Sequence, residues 1–298
     1  MKTDRKILQI NQMMACLVML LFIIPIDAIA EVKIGVNAPR GAIKAAKRWM
    51  DFGEYIEQKI NQKVVIIPTP PHRILSSARE NLFDFVLTNP ALTVELVVEE
   101  KALLLATLNT LSGSQFAGVI LVRKDSGFNS VDDLRGKNVM SLKFNDAAGA
   151  YIFQTYHLKQ KGIDVHSDFA SIKQRKKQDN LIMALNASAV DAVFVRTGIL
   201  EAMHKEGRIN KDDFIALDAH AEDEVKALHS TSHYPEWFLS AMPNTDKKTV
   251  EKVKKFSLLL HPDSQVAKRA KIRGFVEPLS LDGMKAALKS LKITPYEN

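Results

Sequence analysis

The chain has 298 residues and a single cysteine, Cys16. One thiol excludes an intramolecular disulfide, a paired-cysteine redox motif and a multi-cysteine metal centre. Met13-Met14-Ala15 precedes Cys16 and a long apolar run follows it, a poor fit to a lipid-attachment site. No two histidines stand at the spacing of metal ligands on one helix face. His229 and His233 are separated by residues that do not read as helix, so no metal is expected. No glycine-rich phosphate loop or nucleophile elbow occurs, and we assign no catalytic residue and expect no cofactor. Low-complexity tracts and Ser/Gly-rich linkers are missing as well. What remains is ordinary globular material, 46% hydrophobic and 25% charged, long enough for two cores.

The first thirty residues stand apart. Lys2, Arg5 and Lys6 precede an apolar stretch from Met13 to Ile24, and Ala28-Ile29-Ala30 supplies the small residues of a cleavage site before Glu31. This pattern predicts an export signal over 1–30 and a periplasmic mature chain, because the apolar core is short for a membrane span. An uncleaved N-terminal anchor is the alternative. Removing 1–30 also removes Cys16, and a secreted chain without disulfides needs a sizeable core. It leaves 38 basic and 32 acidic groups, a balance of +6 against +7 for the whole chain. That excess fits an anionic ligand, and nucleic acid is not expected as a partner of an exported protein. Runs such as Lys173 to Lys177 and Lys247 to Lys255 read as solvated surface.

Asp84-Phe85-Val86-Leu87-Thr88-Asn89-Pro90 organises the rest. An apolar run that stops at Thr-Asn-Pro and passes into a helical pattern predicts a buried strand, a tight loop and a helix. Asn89 suits the N-cap and Pro90 the first helical turn, so backbone donors, the Thr88 hydroxyl and the Asn89 amide collect at a helix start that attracts anions. Val32 to Val36 and Val64 to Ile67 read as earlier strands, with Ile43, Trp49, Phe52, Ile56 and Ile60 at helical spacing between them. This β-α-β-α-β-α order predicts a mostly parallel sheet with its ligand beyond the strand ends.

The second half repeats the alternation without a residue-level repeat. Phe116 to Arg123 reads as one long strand, Lys137 to Leu142 and Asp191 to Val195 as two more, with helices from Gly149 and from Ile199. The stretch from His229 to Met242 reads as an irregular crossing and then a strand. Two amphipathic helices, Asp246 to Leu260 and Leu281 to Leu291, close the chain.

Taken together, Asp84 to Pro90, Val122 to Ser126, Leu134-Arg135-Gly136-Lys137, Gly162-Ile163-Asp164, Val195-Arg196-Thr197-Gly198 and Tyr234-Pro235-Glu236-Trp237 resemble a known family. The mature chain is similar to the phosphate/phosphite/phosphonate-type substrate-binding proteins of ABC transporters. It resembles more closely the version that serves as sensory domain in tetrathionate-type sensor histidine kinases. The resemblance implies an α/β, bilobed periplasmic-binding-protein fold of type II, with two lobes joined by a two-strand hinge. Lobe 1 would comprise 31–118 plus 236–298, and lobe 2 residues 119–235.

It also implies a non-enzymatic receptor, monomeric, that captures a small anion and signals to a membrane partner. That partner would be an ABC permease for uptake or, alternatively, an inner-membrane sensor histidine kinase. Family positions point to Thr88, Asn89, Arg196, Thr197, Ser230, Thr231, Asn145 and Tyr234 as ligand-binding. Arg196 leads, since its planar, permanently charged fork suits oxyanions. Each has a plainer counterpart: a helix cap for Thr88 and Asn89, an ion pair for Arg196, a hydrogen-bonded turn for Ser230 and Thr231, core packing for Tyr234 and Trp237. Asn37, Arg40 and His72 are weaker candidates by position. The family's Ser-Thr-Ser run at the second-lobe helix start is replaced by Asn145-Asp146-Ala147-Ala148-Gly149-Ala150, which has no hydroxyl. That departure turns the expectation from phosphonate toward a sulfur oxyanion.

Overall fold

Short apolar runs alternating with amphipathic helices have one economical solution, a sheet with helices on both faces. The computed structural model, which describes residues 31–220 and 227–297, adopts it twice. The leader expected over 1–30 lies outside the described residues.

Val32–Asn37 (β1), Val64–Thr69 (β2) and Phe85–Thr88 (β3) run parallel with β1 between the other two. Helices Ala42–Ile60 (α1), Pro71–Arg79 (α2) and Pro90–Val98 (α3) connect and cover them. In α1 the apolar spacing buries Ala45, Trp49, Phe52, Ile56 and Ile60 on one face. Leu103–Thr110 (β4) follows, and the chain then crosses at Gln115–Phe116 (β5).

A second sheet is assembled from Gly118–Arg123 (β6), Asn138–Ser141 (β7), Ser171–Gln174 (β8), Ala192–Arg196 (β9) and Phe214–Ala216 (β10). Its helices are Ile152–Gln160 (α4), Gln178–Asn186 (α5) and Ile199–Lys205 (α6). The chain returns through Tyr234–Pro235 (β11), which pairs with β5, and adds Phe238–Ala241 (β12) antiparallel between β3 and β4. Lys247–Leu258 (α7), Gln265–Ala270 (α8), Ile272–Val276 (β13) and Asp282–Leu291 (α9) complete it.

The six-stranded sheet has the order β13-β4-β12-β3-β1-β2 and the five-stranded sheet β10-β6-β9-β7-β8. Without the edge strand β13, both place the second strand outside the first, then the third, then one antiparallel strand contributed across the crossing. The β5–β11 ribbon is the two-strand connection. This is the bilobed, type II periplasmic-binding-protein architecture.

Three stretches depart from the sequence reading. The run from Phe116 breaks at Ala117, because Thr197 N donates to Ala117 O and Thr197 Oγ1 accepts from Ala117 N. Its two pieces therefore serve different sheets. The lysine-rich surface from Lys173 overlaps an edge strand, β8, parallel to β7. Gln265–Ala270 and Ile272–Val276 add a helix and an antiparallel edge strand where the sequence pattern was weak. At the C-terminus Met284 and Leu288 share a core with Phe153, Leu158 and Val94, so α9 packs beside both α4 and α3.

Candidate functional site

The ends of β1 and β9 meet in one cavity of about 610 Å³. From the six-stranded side come Asn37, Arg40, Lys44, Lys47 and Arg48, and from the five-stranded side Leu142, Gln178, Arg196 and Thr197. Phe116, Glu236 and Trp237 enter from the crossings. A smaller cavity of about 80 Å³ shares Asn37, Arg196 and Trp237 and adds Asn89, Asp146 and Ala147 to Ala150.

Arg196 sits at the last position of β9, where the strand leaves the sheet. Its main-chain N–H donates to Gln178 Oε1 at 2.8 Å, and its guanidinium lies 4.5 Å from the Phe116 ring centre. Its Nη2 donates to Glu236 Oε1 at 2.6 Å, and the Glu236 side chain is only 2% exposed. The guanidinium fork is thus held from two sides, by the Phe116 ring and Glu236, before any ligand arrives. Gly149 makes the approach possible. A Cβ there would stand 2.6 Å from the Phe116 ring and 3.0 Å from Arg196 Cβ, so only glycine lets the second-lobe turn come this close.

Arg48 is the second cation of the floor. Its Nε donates to Ala270 O at 2.9 Å, and its guanidinium lies over Trp49. Burial pushes its pKa down to about 10; Glu236 works against that shift and Arg196 with it. Arg48 thus remains charged at neutral pH while sensing both neighbours. Arg40 bridges the cleft, donating to Asp179 Oδ2 at 2.8 Å, and Arg208 bonds the same carboxylate. Burial acts to raise the Asp179 pKa, but the hydrogen bonds from Arg208 and Arg40 prevail and hold it below the usual carboxylate range.

The sequence candidates divide. Arg196 and Thr197 line the large cavity and Asn89 the small one. Asn89 Oδ1 accepts from Ala91 N and Leu92 N, and its Nδ2 reaches Asp146 O across the cleft at 3.1 Å. Its amide is thus spent on capping its own helix and on a contact to the other lobe. Thr88 is fully buried, its Oγ1 has no hydrogen-bond partner among the described residues, and it lines neither cavity.

Ser230 and Thr231 lie outside both cavities. Their hydroxyls accept from Ile120 N and Gly118 N, each at 2.9 Å, because β6 needs partners where the crossing segment runs beside it. Tyr234 is stacked on Phe153 at 3.8 Å, and burial pushes its phenol pKa up, so it belongs to the core. Asn145 is exposed and outside both cavities. His72 is exposed too. Arg48, Gln178, Phe116 and Glu236 are the residues that sequence reasoning missed. Arg48 looks like one more helix-surface arginine until α8 buries it, and Glu236 was legible only as part of a family motif.

Among the described residues no group of three or more His, Cys, Asp or Glu side chains could hold a metal ion, and no helix is long and apolar enough to cross a membrane.

Residues 34–282 match the family described as the periplasmic substrate-binding protein of phosphonate ABC transporters. The chain is 30% identical over 226 residues to the tetrathionate sensor histidine kinase TtrS of Salmonella typhimurium, a match over 74% of this chain and 38% of that relative. It therefore spans well under half of the relative's length. The fold is similar to that of PhnD1 from Prochlorococcus marinus in complex with methylphosphonate, with TM-score 0.70, 16% identity and coverage of 88% of this chain and 98% of that one. It is similar also to a binding protein component of an ABC phosphonate transporter from Pseudomonas aeruginosa, with TM-score 0.71, 13% identity and coverage of 87% and 86%. With a matching sequence pattern over most of its length and two lobes around a cationic cleft, the chain belongs to the periplasmic substrate-binding proteins of the phosphonate ABC-transporter family.

Proposed function

We propose that this protein captures a small phosphorus or sulfur oxyanion between lobe 1 (31–118 plus 236–298) and lobe 2 (119–235) and presents the closed form to an ABC permease. One observation carries the reading: Arg40, Lys44, Lys47, Arg48 and Arg196 converge on a single cavity of about 610 Å³. Cations focused in a concave, partly apolar site raise the local concentration of anions and bind them more strongly than a flat surface does. Closure about the β5–β11 ribbon would desolvate the ligand, with Arg40 and Asp179 meeting across the mouth. On this reading the protein is an exported, monomeric receptor and not an enzyme, with residues 1–30 as its export signal.

A second reading is favoured by the likeness to the sensor kinase: the same clamshell reports ligand to a histidine kinase in the inner membrane. Thermal-shift screening of the purified protein against phosphorus and sulfur oxyanions tests the shared core of both readings. At least one anion should raise Tm by several degrees, and the shift should vanish in Arg196→Ala. Co-purification of the closed form with permease or kinase then separates uptake from sensing.

A further inference from the structure

Four of the chain's eight histidines stand in one string beside the return crossing. His157 of α4 lies 6.3 Å, ring centre to ring centre, from His220; His220 lies 6.2 Å from His229, and His229 lies 4.6 Å from His233. None of the four lines either cavity, so the cleft does not account for them. At the α4 end His157 Nε2 meets Asp218 Oδ2 at 2.6 Å, and Lys161 Nζ lies 2.9 Å from the same oxygen. Burial holds the His157 pKa below the usual histidine value; Asp218 opposes that shift, while Lys161 and His220 add to it. At the other end His229 is 1% exposed. Its Nδ1 lies 2.9 Å from Ala227 O, and a carbonyl only accepts, so Nδ1 carries the proton and Nε2 the lone pair of the neutral ring. That Nε2 is buried with no hydrogen-bond partner among the described residues. The acidic run Glu222-Asp223-Glu224 lies outside the described residues.

Position gives the string its leverage. His220 N donates to His229 O at 3.1 Å, and the next two residues hold β6: Ser230 N donates to Gly118 O, and the Ser230 and Thr231 hydroxyls accept from Ile120 N and Gly118 N. His233 immediately precedes β11, one strand of the ribbon that joins the lobes. As pH falls through the histidine range near about 6.5, neutral rings become like charges, which repel most strongly where burial keeps water out. For His157 the depressed pKa gives the same sign. The folded form binds fewer protons there than the unfolded chain, so stability is fully present above about 6.5 and is lost as pH falls. We propose that His157, His220, His229 and His233 form an acid-sensitive latch, which holds the return crossing against β6 when neutral and releases it when protonated, so that acid loosens the β5–β11 hinge. The latch concerns the hinge and not the ligand, and it stands or falls apart from the oxyanion reading.

Hydrogen exchange of the unliganded protein, read by mass spectrometry and corrected for the intrinsic pH dependence of exchange, tests it. From about pH 7.5 to about pH 5.5 the segments 117–122 and 229–235 should lose about tenfold or more of their protection, while 49–56 in α1 keeps its own within about threefold. His220→Gln, at an exposed position, should cut that acid loss to about threefold or less. His157→Gln combined with His229→Asn should abolish it, the Asn keeping a donor for Ala227 O. His261→Gln, an exposed change outside the string, should leave it as it was. Over the same pH interval Tm should fall by about 2 °C less in His220→Gln than in the unaltered protein, a difference from which shared groups such as Glu95 cancel. Equal acid loss with and without His220 overturns the latch, and so does a loss spread evenly over α1 and the crossing, or no loss at all. Should the His157 and His229 double variant fail to fold, His220→Gln decides alone.

Discussion

The two lobes share one strand order but treat their helix starts differently. At the end of β3, Asn89 satisfies Ala91 N and Leu92 N itself, so that the donors which made this stretch conspicuous are already occupied. At the corresponding place after β7, the turn Ala148–Ala150 has no side-chain cap, and its residues line the small cavity. A self-capped helix start contributes stability through a side chain, whereas here the Ala147 carbonyl accepts from Ala150 N and Ile152 N. The lobe with the stronger sequence signal still supplies Asn37, Arg40, Lys44, Lys47 and Arg48 to the large cavity, while the one lacking the family's hydroxyl run supplies Arg196, Thr197 and Gln178.

The sharpest way to break that comparison is Arg196→Ala. Anion affinity should fall by about a hundredfold or more, since a buried charge-assisted contact is lost. The same change strands the Glu236 carboxylate, so the unliganded protein should also lose about 1–3 kcal/mol, read as a lower Tm. Gly149→Val comes next. Its side chain would meet Phe116 and push the turn off Arg196, with binding reduced by about tenfold in a titration while far-UV dichroism stays unchanged.

Asp179→Asn weakens the bridge from Arg40 and should lower affinity by about threefold to tenfold, with a larger radius of gyration by X-ray scattering in the unliganded form. The depressed pKa of Asp179 sets the sign for pH. The contribution of the bridge is present above the ordinary Asp range near 3.9 and is lost as pH falls below it. Asn89→Ala should cost about 1 kcal/mol of stability yet alter anion affinity by less than about threefold, because it caps the first-lobe helix and reaches only backbone across the cleft.

Smallest is a change at a residue that lines neither cavity. Glu95, buried in α3, is pushed up to about 7 by burial and then by Glu99. A carboxyl raised in the folded state binds more protons there than when unfolded, so its cost grows as pH rises from about 4 to about 7. Glu95→Gln should raise Tm by about 2–4 °C at pH 8 and by less at pH 5.

Much of the scaffold was legible residue by residue. The spacing of Trp49, Phe52, Ile56 and Ile60 marked a buried helix face, and Thr88-Asn89-Pro90 marked a strand end, a cap and a helix start, because these patterns depend on neighbours within one or two turns. The cleft was less legible. Arg196 was visible at the end of a strand, but its partner Glu236 is 40 residues away and arrives by the return crossing. Ser230 and Thr231 looked like ligand contacts, since nothing local showed that Gly118 and Ile120 would claim their hydroxyls.

By itself the amino-acid order determined the alternation of strands and helices, the exclusion of an intramolecular disulfide, and a cationic surplus suited to an anion. Only the tertiary structure decided which cations share a cavity, that Arg48 is half-buried within electrostatic reach of Arg196, and that the Glu236 carboxylate pairs with Arg196. The physical reason is range. Hydrophobic period and capping act over a few residues of chain, whereas a binding site is made of side chains whose separation in sequence says nothing of their distance in space, until two sheets and two crossings bring them together.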